Sequence, residues 1–120
     1  MSTVESIDVP KLEALRLESR FELVDVRSDE EIRRGVIAGA RHIPLHLLPA
    51  RYQEISRDVP VVFYCQSGAR SMQAGAFLIA KGWLKVYNLS GGLAAWLRGG
   101  LPVAPPERSK TMQQDEHRTD

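Results

Sequence analysis

The chain has 120 residues, 43% of them hydrophobic and 26% charged, which suits one soluble globular domain with its own core. Sixteen Lys and Arg against 15 Asp and Glu leave a net charge of +1, so nothing electrostatic favours nucleic acid or an anionic membrane as partner. The lone cysteine, Cys65, cannot close an internal disulfide, and neither a signal-type N-terminus nor a membrane-length apolar run is present; a cytoplasmic protein is expected.

In chain order, Pro10 suits the first turn of a helix, and Leu12, Leu15 and Leu17 supply a partial apolar stripe. Phe21–Val26 reads as a buried strand carrying Asp25 near its far end. Ser28-Asp29-Glu30-Glu31 has the form of a capping box, and Gly35 closes the short helix that it opens. A third strand is expected over Ala40–Ile43, ended by Pro44, then a helix over Leu47–Ile55 with Pro49 near its start. Val61–Tyr64 is a clear strand, followed by the segment Cys65-Gln66-Ser67-Gly68-Ala69-Arg70-Ser71 and an apolar helix from Met72 to Ala80. Val86–Leu89 is a further strand, Gly91-Gly92 a turn, and Leu93–Arg98 a last helix. Trp83, Trp96 and Tyr87 are read as packing residues. The stretch 104–120 is polar, proline-led and aperiodic, including His117, and is expected to be a disordered tail after a domain spanning 1–103.

Strands alternating with helices predict an α/β fold: a mostly parallel central sheet of about five strands with helices on both faces. Ligands of such sheets gather beyond the C-terminal strand ends. Asp25 and Cys65 both fall there and are expected at the same edge. A thiol between a strand and a helix start meets backbone N–H groups and the positive end of the helix dipole, which favours the thiolate, the reactive form.

Four segments, in order, resemble the rhodanese-like family of single-domain sulfurtransferases. They are Leu23-Val24-Asp25-Val26-Arg27; Glu31 with Gly35-Val36-Ile37-Ala38-Gly39-Ala40-Arg41-His42-Ile43-Pro44; Val61 through Ser71; and Val86-Tyr87-Asn88-Leu89-Ser90-Gly91-Gly92 with Ala95-Trp96 and Gly100–Val103. The likeness runs from about Ile7 to Val103. Val36 departs from the family's usual histidine, and Ile32 from its common aromatic residue.

The resemblance implies a sulfur relay. Cys65 would take the sulfane sulfur of thiosulfate or a related donor as a persulfide and pass it to a thiol, a protein thiol included, or to cyanide. Gln66, Ser67, Gly68, Ala69, Arg70 and Ser71 would form the substrate-binding loop. In it Gly68 and Ala69 let the N–H groups turn inward, Arg70 offers a forked cation to an oxyanion, and Ser67 and Ser71 offer hydroxyls. Asp25 and Arg27 are assigned to structural support, Asp25 ordering a neighbouring loop and Arg27 pairing with Glu31. His42 and His46 approach the rim without metal-ligand spacing, so no metal and no cofactor is expected. Two other functions stay open at this stage: a binding or regulatory module without catalysis, and a cysteine-dependent phosphatase. The phosphatase is disfavoured because four residues separate Cys65 from Arg70 where such enzymes have five. Oligomeric state is open too.

Overall fold

The computed structural model describes residues 3–106. Five strands build one parallel sheet: β1 (Glu5–Ile7), β2 (Glu22–Asp25), β3 (Arg41–His42), β4 (Val61–Tyr64) and β5 (Val86–Leu89), in the order β1-β5-β4-β2-β3. The helices are α1 (Val9–Glu18), α2 (Asp29–Ile32), α3 (Leu48–Arg51), α4 (Ala69–Ala80) and α5 (Gly92–Arg98). The expected α/β architecture is therefore what the chain adopts. No helix among the described residues is long and apolar enough to cross a membrane.

Alternation along β4 divides the core between the two faces of the sheet. Val61 and Phe63 pack with Val24, Val26, Leu48, Ala74 and Leu78, beneath α3 and α4. Val62 and Tyr64 pack with Leu12, Leu23, Leu93 and Trp96, beneath α1 and α5. Because β4 is central, all four of its residues are buried. Its C-terminal end opens where the chain leaves β2 towards β3 and β4 towards β5, in opposite directions across the sheet.

Several expectations need correction. Leu17 is 89% exposed, because it lies five residues beyond the buried Leu12, about 140° around the helix from it. The helix expected over Leu47–Ile55 is broken into a 3-10 turn (Leu45–Leu47), α3, and a second 3-10 turn (Tyr52–Glu54). Pro49 has no N–H to bond back to Leu45, so the helix has to restart around it. Ala104, assigned to the tail, is held instead: its N–H and carbonyl each bond Val36 at 2.8 Å. Residues 107–120 of that expected tail, with His117, lie outside the described residues. β1 was not anticipated, since three residues with one buried side chain carry no readable period.

A buried ion pair fixes the end of β2. Arg27 Nε lies 3.1 Å from both Asp25 carboxylate oxygens, and Nη2 donates to Asp25 Oδ2 and to the Gly35 carbonyl, each at 2.8 Å. Asp25 also accepts the Arg27 N–H at 2.9 Å, and both side chains are almost wholly buried. Arg27 thus pairs with Asp25 rather than with Glu31 as expected: side chains two apart leaving a strand share a face. The Tyr64 hydroxyl accepts the Ile37 N–H at 2.9 Å. Burial first, then the Asp25 carboxylate, pushes the phenol far above its usual range, so it keeps its proton. Together these contacts anchor the 35–37 segment to the sheet edge.

Removing one partner of such a pair strands a buried charge. Arg27→Met is expected to lower unfolding free energy by about 3–5 kcal/mol, and the double variant Asp25→Leu/Arg27→Met by clearly less. Urea unfolding with an unchanged slope checks this; equal losses in both variants contradict the pairing account.

Candidate active site

The site grows from the junction of β4 and α4. Gly68 precedes α4 in a left-handed conformation (φ 114°) that favours glycine, and no side chain caps the helix. The first N–H groups of any helix lack acceptors within it. Here the sulfur of Cys65 takes that place. Gly68 N lies 3.0 Å from Sγ and Ser71 N 3.4 Å, and the Ser71 hydroxyl is also 3.4 Å away.

Cys65 is 1% exposed, and burial by itself pushes a thiol up. That effect is outweighed by the Ser71 hydroxyl and by the N–H groups of Ser71, Gly68 and Ser67, so the thiol is held below its ordinary value. Among the described residues no imidazole takes part. Cys65 therefore sits in a pocket of donors arranged for an anion on sulfur.

Two residues that sequence reasoning passed over brace the pocket. Asn88, on β5 and 4% exposed, lies within hydrogen-bond reach of the Ser71 hydroxyl, whose single proton is shared among Asn88 Oδ1, the Gly68 carbonyl at 3.1 Å and the Cys65 sulfur. Gly92 opens α5 against the back of the loop. Leu93 N donates to the Cys65 carbonyl at 2.8 Å and Ala94 N to the Gln66 carbonyl at 3.1 Å. A Cβ at position 92 would lie 2.8 Å from the Gln66 carbonyl oxygen, so only glycine lets the two segments meet. Both had a signal in the sequence: an asparagine inside an apolar strand, and paired glycines directly before a helix.

The remaining site residues are placed as follows. Gln66, Ser67 and Ala69 are exposed at the loop's outer side. Arg70, expected to face a substrate, is bound to Glu31: Nη1 to Oε1 at 2.7 Å and Nη2 to Oε2 at 2.9 Å. Glu31 is also the capping residue of α2, accepting the Ser28 N–H at 2.9 Å. Hydrogen bonding from Arg70, opposed by partial burial and reinforced by Ser28, holds the Glu31 carboxyl at about 2. It is ionised wherever Cys65 is. Asp25 and Cys65 share the sheet edge as expected but point to opposite faces: Cys65 lies with Val24, Val26 and Phe63 under α4, whereas Asp25 pairs in register with Tyr64. A ring nitrogen of His42 lies 2.6 Å from the Arg27 carbonyl, and His46 is exposed. Among the described residues no group of three or more side chains is disposed to hold a metal ion.

Beside the loop lies a cleft of about 540 Å³. Its lining includes Arg27, Ser28, Glu31, Gln66, Leu93 and Leu97.

The model of the Rhodanese-like domain family matches residues 8–98 of the chain. The chain is 52% identical over 85 residues to a sulfurtransferase of Allochromatium vinosum, covering 71% of this chain and 79% of that protein. It is 35% identical over 74 residues to the thiosulfate sulfurtransferase GlpE of Stutzerimonas stutzeri, covering 62% and 68% respectively. The crystal structure of a rhodanese-related protein from Thermoplasma volcanium aligns with a TM-score of 0.76 at 30% identity, covering 83% of this chain and 97% of that one.

If the Ser71 hydroxyl helps hold the thiolate, Ser71→Ala should move the pH profile of Cys65 alkylation upward while the fold persists. An unmoved profile, measured with iodoacetamide on the one thiol, removes that role from Ser71.

Proposed function

The chain belongs to the rhodanese-like domain family, and on that footing we propose that it is a sulfurtransferase that carries sulfur as a persulfide on Cys65. The observation that carries the reading is the set of N–H donors from Gly68 and Ser71 around Sγ, with the Ser71 hydroxyl beside them, which suits a thiolate and the anionic outer sulfur of its persulfide.

With thiosulfate as donor, the Cys65 thiolate attacks the outer sulfur. A new S–S bond forms, the old one breaks, and sulfite leaves with the bonding electron pair. The persulfide is then attacked at its terminal sulfur by a thiolate acceptor, small or protein-borne, or by cyanide, and the Cys65 thiolate returns. Two displacements replace one. The donors around Sγ favour the thiolate, so the first displacement does not call on a general base, and in the second the acceptor attacks as an anion. The loop 66–71 binds the donor: the N–H groups of Ser67, Gly68 and Ser71 hold the transferred sulfur, Gln66 and Ala69 shape the entrance, and Arg70, shared with Glu31, sets the charge that the donor's anionic end meets. Asp25 and Arg27 keep the neighbouring edge of the sheet in position. No metal or cofactor is called for. A cytoplasmic setting, where an unpaired thiol stays reduced, suits this chemistry.

Thiosulfate treatment of the reduced chain should add roughly 32 Da at Cys65, removable by cyanide as thiocyanate, and Cys65→Ser should give neither adduct nor turnover. Intact-mass measurement decides it, and an unmodified wild-type thiol contradicts the reading. For Arg70→Ala, KM for thiosulfate should rise about tenfold with a smaller fall in kcat, since uniform binding is what is lost. A thiosulfate KM equal to that of wild type in steady-state assays withdraws Arg70 from donor binding.

A further inference from the structure

The cation closest in sequence to the sulfur cradle is already engaged. Arg70 gives both terminal nitrogens to the two oxygens of Glu31, in a forked pair about one-third exposed on each side. Glu31 cannot swing away freely, because the same Oε1 that receives Arg70 also caps the N-terminus of α2 at Ser28. The carboxylate is thus fixed by two elements, and it stays ionised through neutral pH.

The charges along the adjoining cleft balance in the same way. Arg27 is spent on Asp25, Glu31 on Arg70, and the other two charged residues there are one of each sign, Glu30 and Arg34. The rest of its lining includes three apolar side chains, Leu93, Leu97 and Val103. At about 540 Å³ the cleft has the size of a site for a small organic molecule rather than a five-atom inorganic anion. A dianion approaching Cys65 meets a cradle with N–H donors but little net positive field.

From this geometry we infer that Glu31 is a specificity-determining residue: by holding Arg70 it disfavours dianionic donors, and the site is built for a sulfane-sulfur donor of lower charge with an organic body. The inference rests on the sulfurtransferase reading of Cys65 and names the class of donor for that same site. An organic thiosulfonate shows the chemistry in balance. The Cys65 thiolate takes the outer sulfur of R–SO2–S⁻, one S–S bond forms as another breaks, and the sulfinate R–SO2⁻ departs with the electron pair. Total charge is unchanged across the step. Thiosulfate reacts by the same bond changes but brings one more negative charge to the Arg70–Glu31 pair.

The test compares two donors with like sulfur chemistry and different charge, thiosulfate and methanethiosulfonate, on the full chain. The rate of Cys65 persulfide formation is followed by intact mass. Glu31→Gln removes the charge yet keeps a side chain that serves the capping box equally well. Ser28→Ala weakens that box while leaving the charge, and so reports on any merely structural role. Wild type should load faster from methanethiosulfonate. Glu31→Gln should raise the thiosulfate rate about fivefold and the methanethiosulfonate rate about twofold, an effect that shrinks at high salt. Ser28→Ala should leave the ratio of the two rates unchanged. An unchanged ratio in Glu31→Gln, or the same change in Ser28→Ala, overturns the assignment to Glu31. A wild-type chain that loads from neither donor overturns sulfur transfer itself, which is a separate and recognisable result.

Discussion

Everything at the site depends on one substitution of partners: the sulfur of Cys65 stands where α4 would otherwise need a capping side chain. An uncapped helix start has N–H groups seeking an acceptor, and a buried thiol is a poor one until it ionises. The two deficits answer each other. Donors from Gly68, Ser67 and Ser71 favour the thiolate, and the thiolate satisfies the donors. Stability and reactivity are therefore linked here. A thiol whose folded-state pKa is depressed contributes stability that is present above its unfolded pKa and is lost as pH falls through the folded one.

The rest of the fold holds that exchange in place. β4 is buried on both faces and delivers Cys65 to the centre of the sheet's C-terminal edge. Gly92 lets α5 press its first N–H groups onto the carbonyls of Cys65 and Gln66, so the loop is held from behind through its backbone. Asn88 fixes the Ser71 hydroxyl. Two ion pairs complete the frame, one buried between Asp25 and Arg27, the other half-exposed between Glu31 and Arg70. They share a form but differ in kind. The first locks a turn and loses much if one partner is removed. The second contributes little to stability but decides how much positive charge faces an incoming donor.

Much of this was legible in the chain. Four consecutive β-type residues before Cys65 give β4 its exact extent, and the Ser28–Glu31 box marks the start of α2, because both are local patterns with local causes. The loop, too, could be read as a thiolate site from neighbours in sequence alone. What escaped was long-range. That Arg70 pairs with Glu31, 39 residues away, depends on how β2 and β4 lie together, which no spacing encodes; the Arg27–Asp25 pair, two residues apart, is by contrast local. The split of Asp25 and Cys65 between faces follows from strand register in the same way. β1 was missed because pairing with β5, rather than any pattern of its own, makes it a strand.

Folding itself favours the Cys65 thiolate through the donors it gathers around the sulfur. Since the chain has one cysteine, ultraviolet thiolate absorbance can be titrated without ambiguity in the native state and again in concentrated urea. The account predicts that the native thiol titrates at lower pH than the unfolded one, in spite of its burial. A native midpoint equal to or above the unfolded midpoint would contradict it.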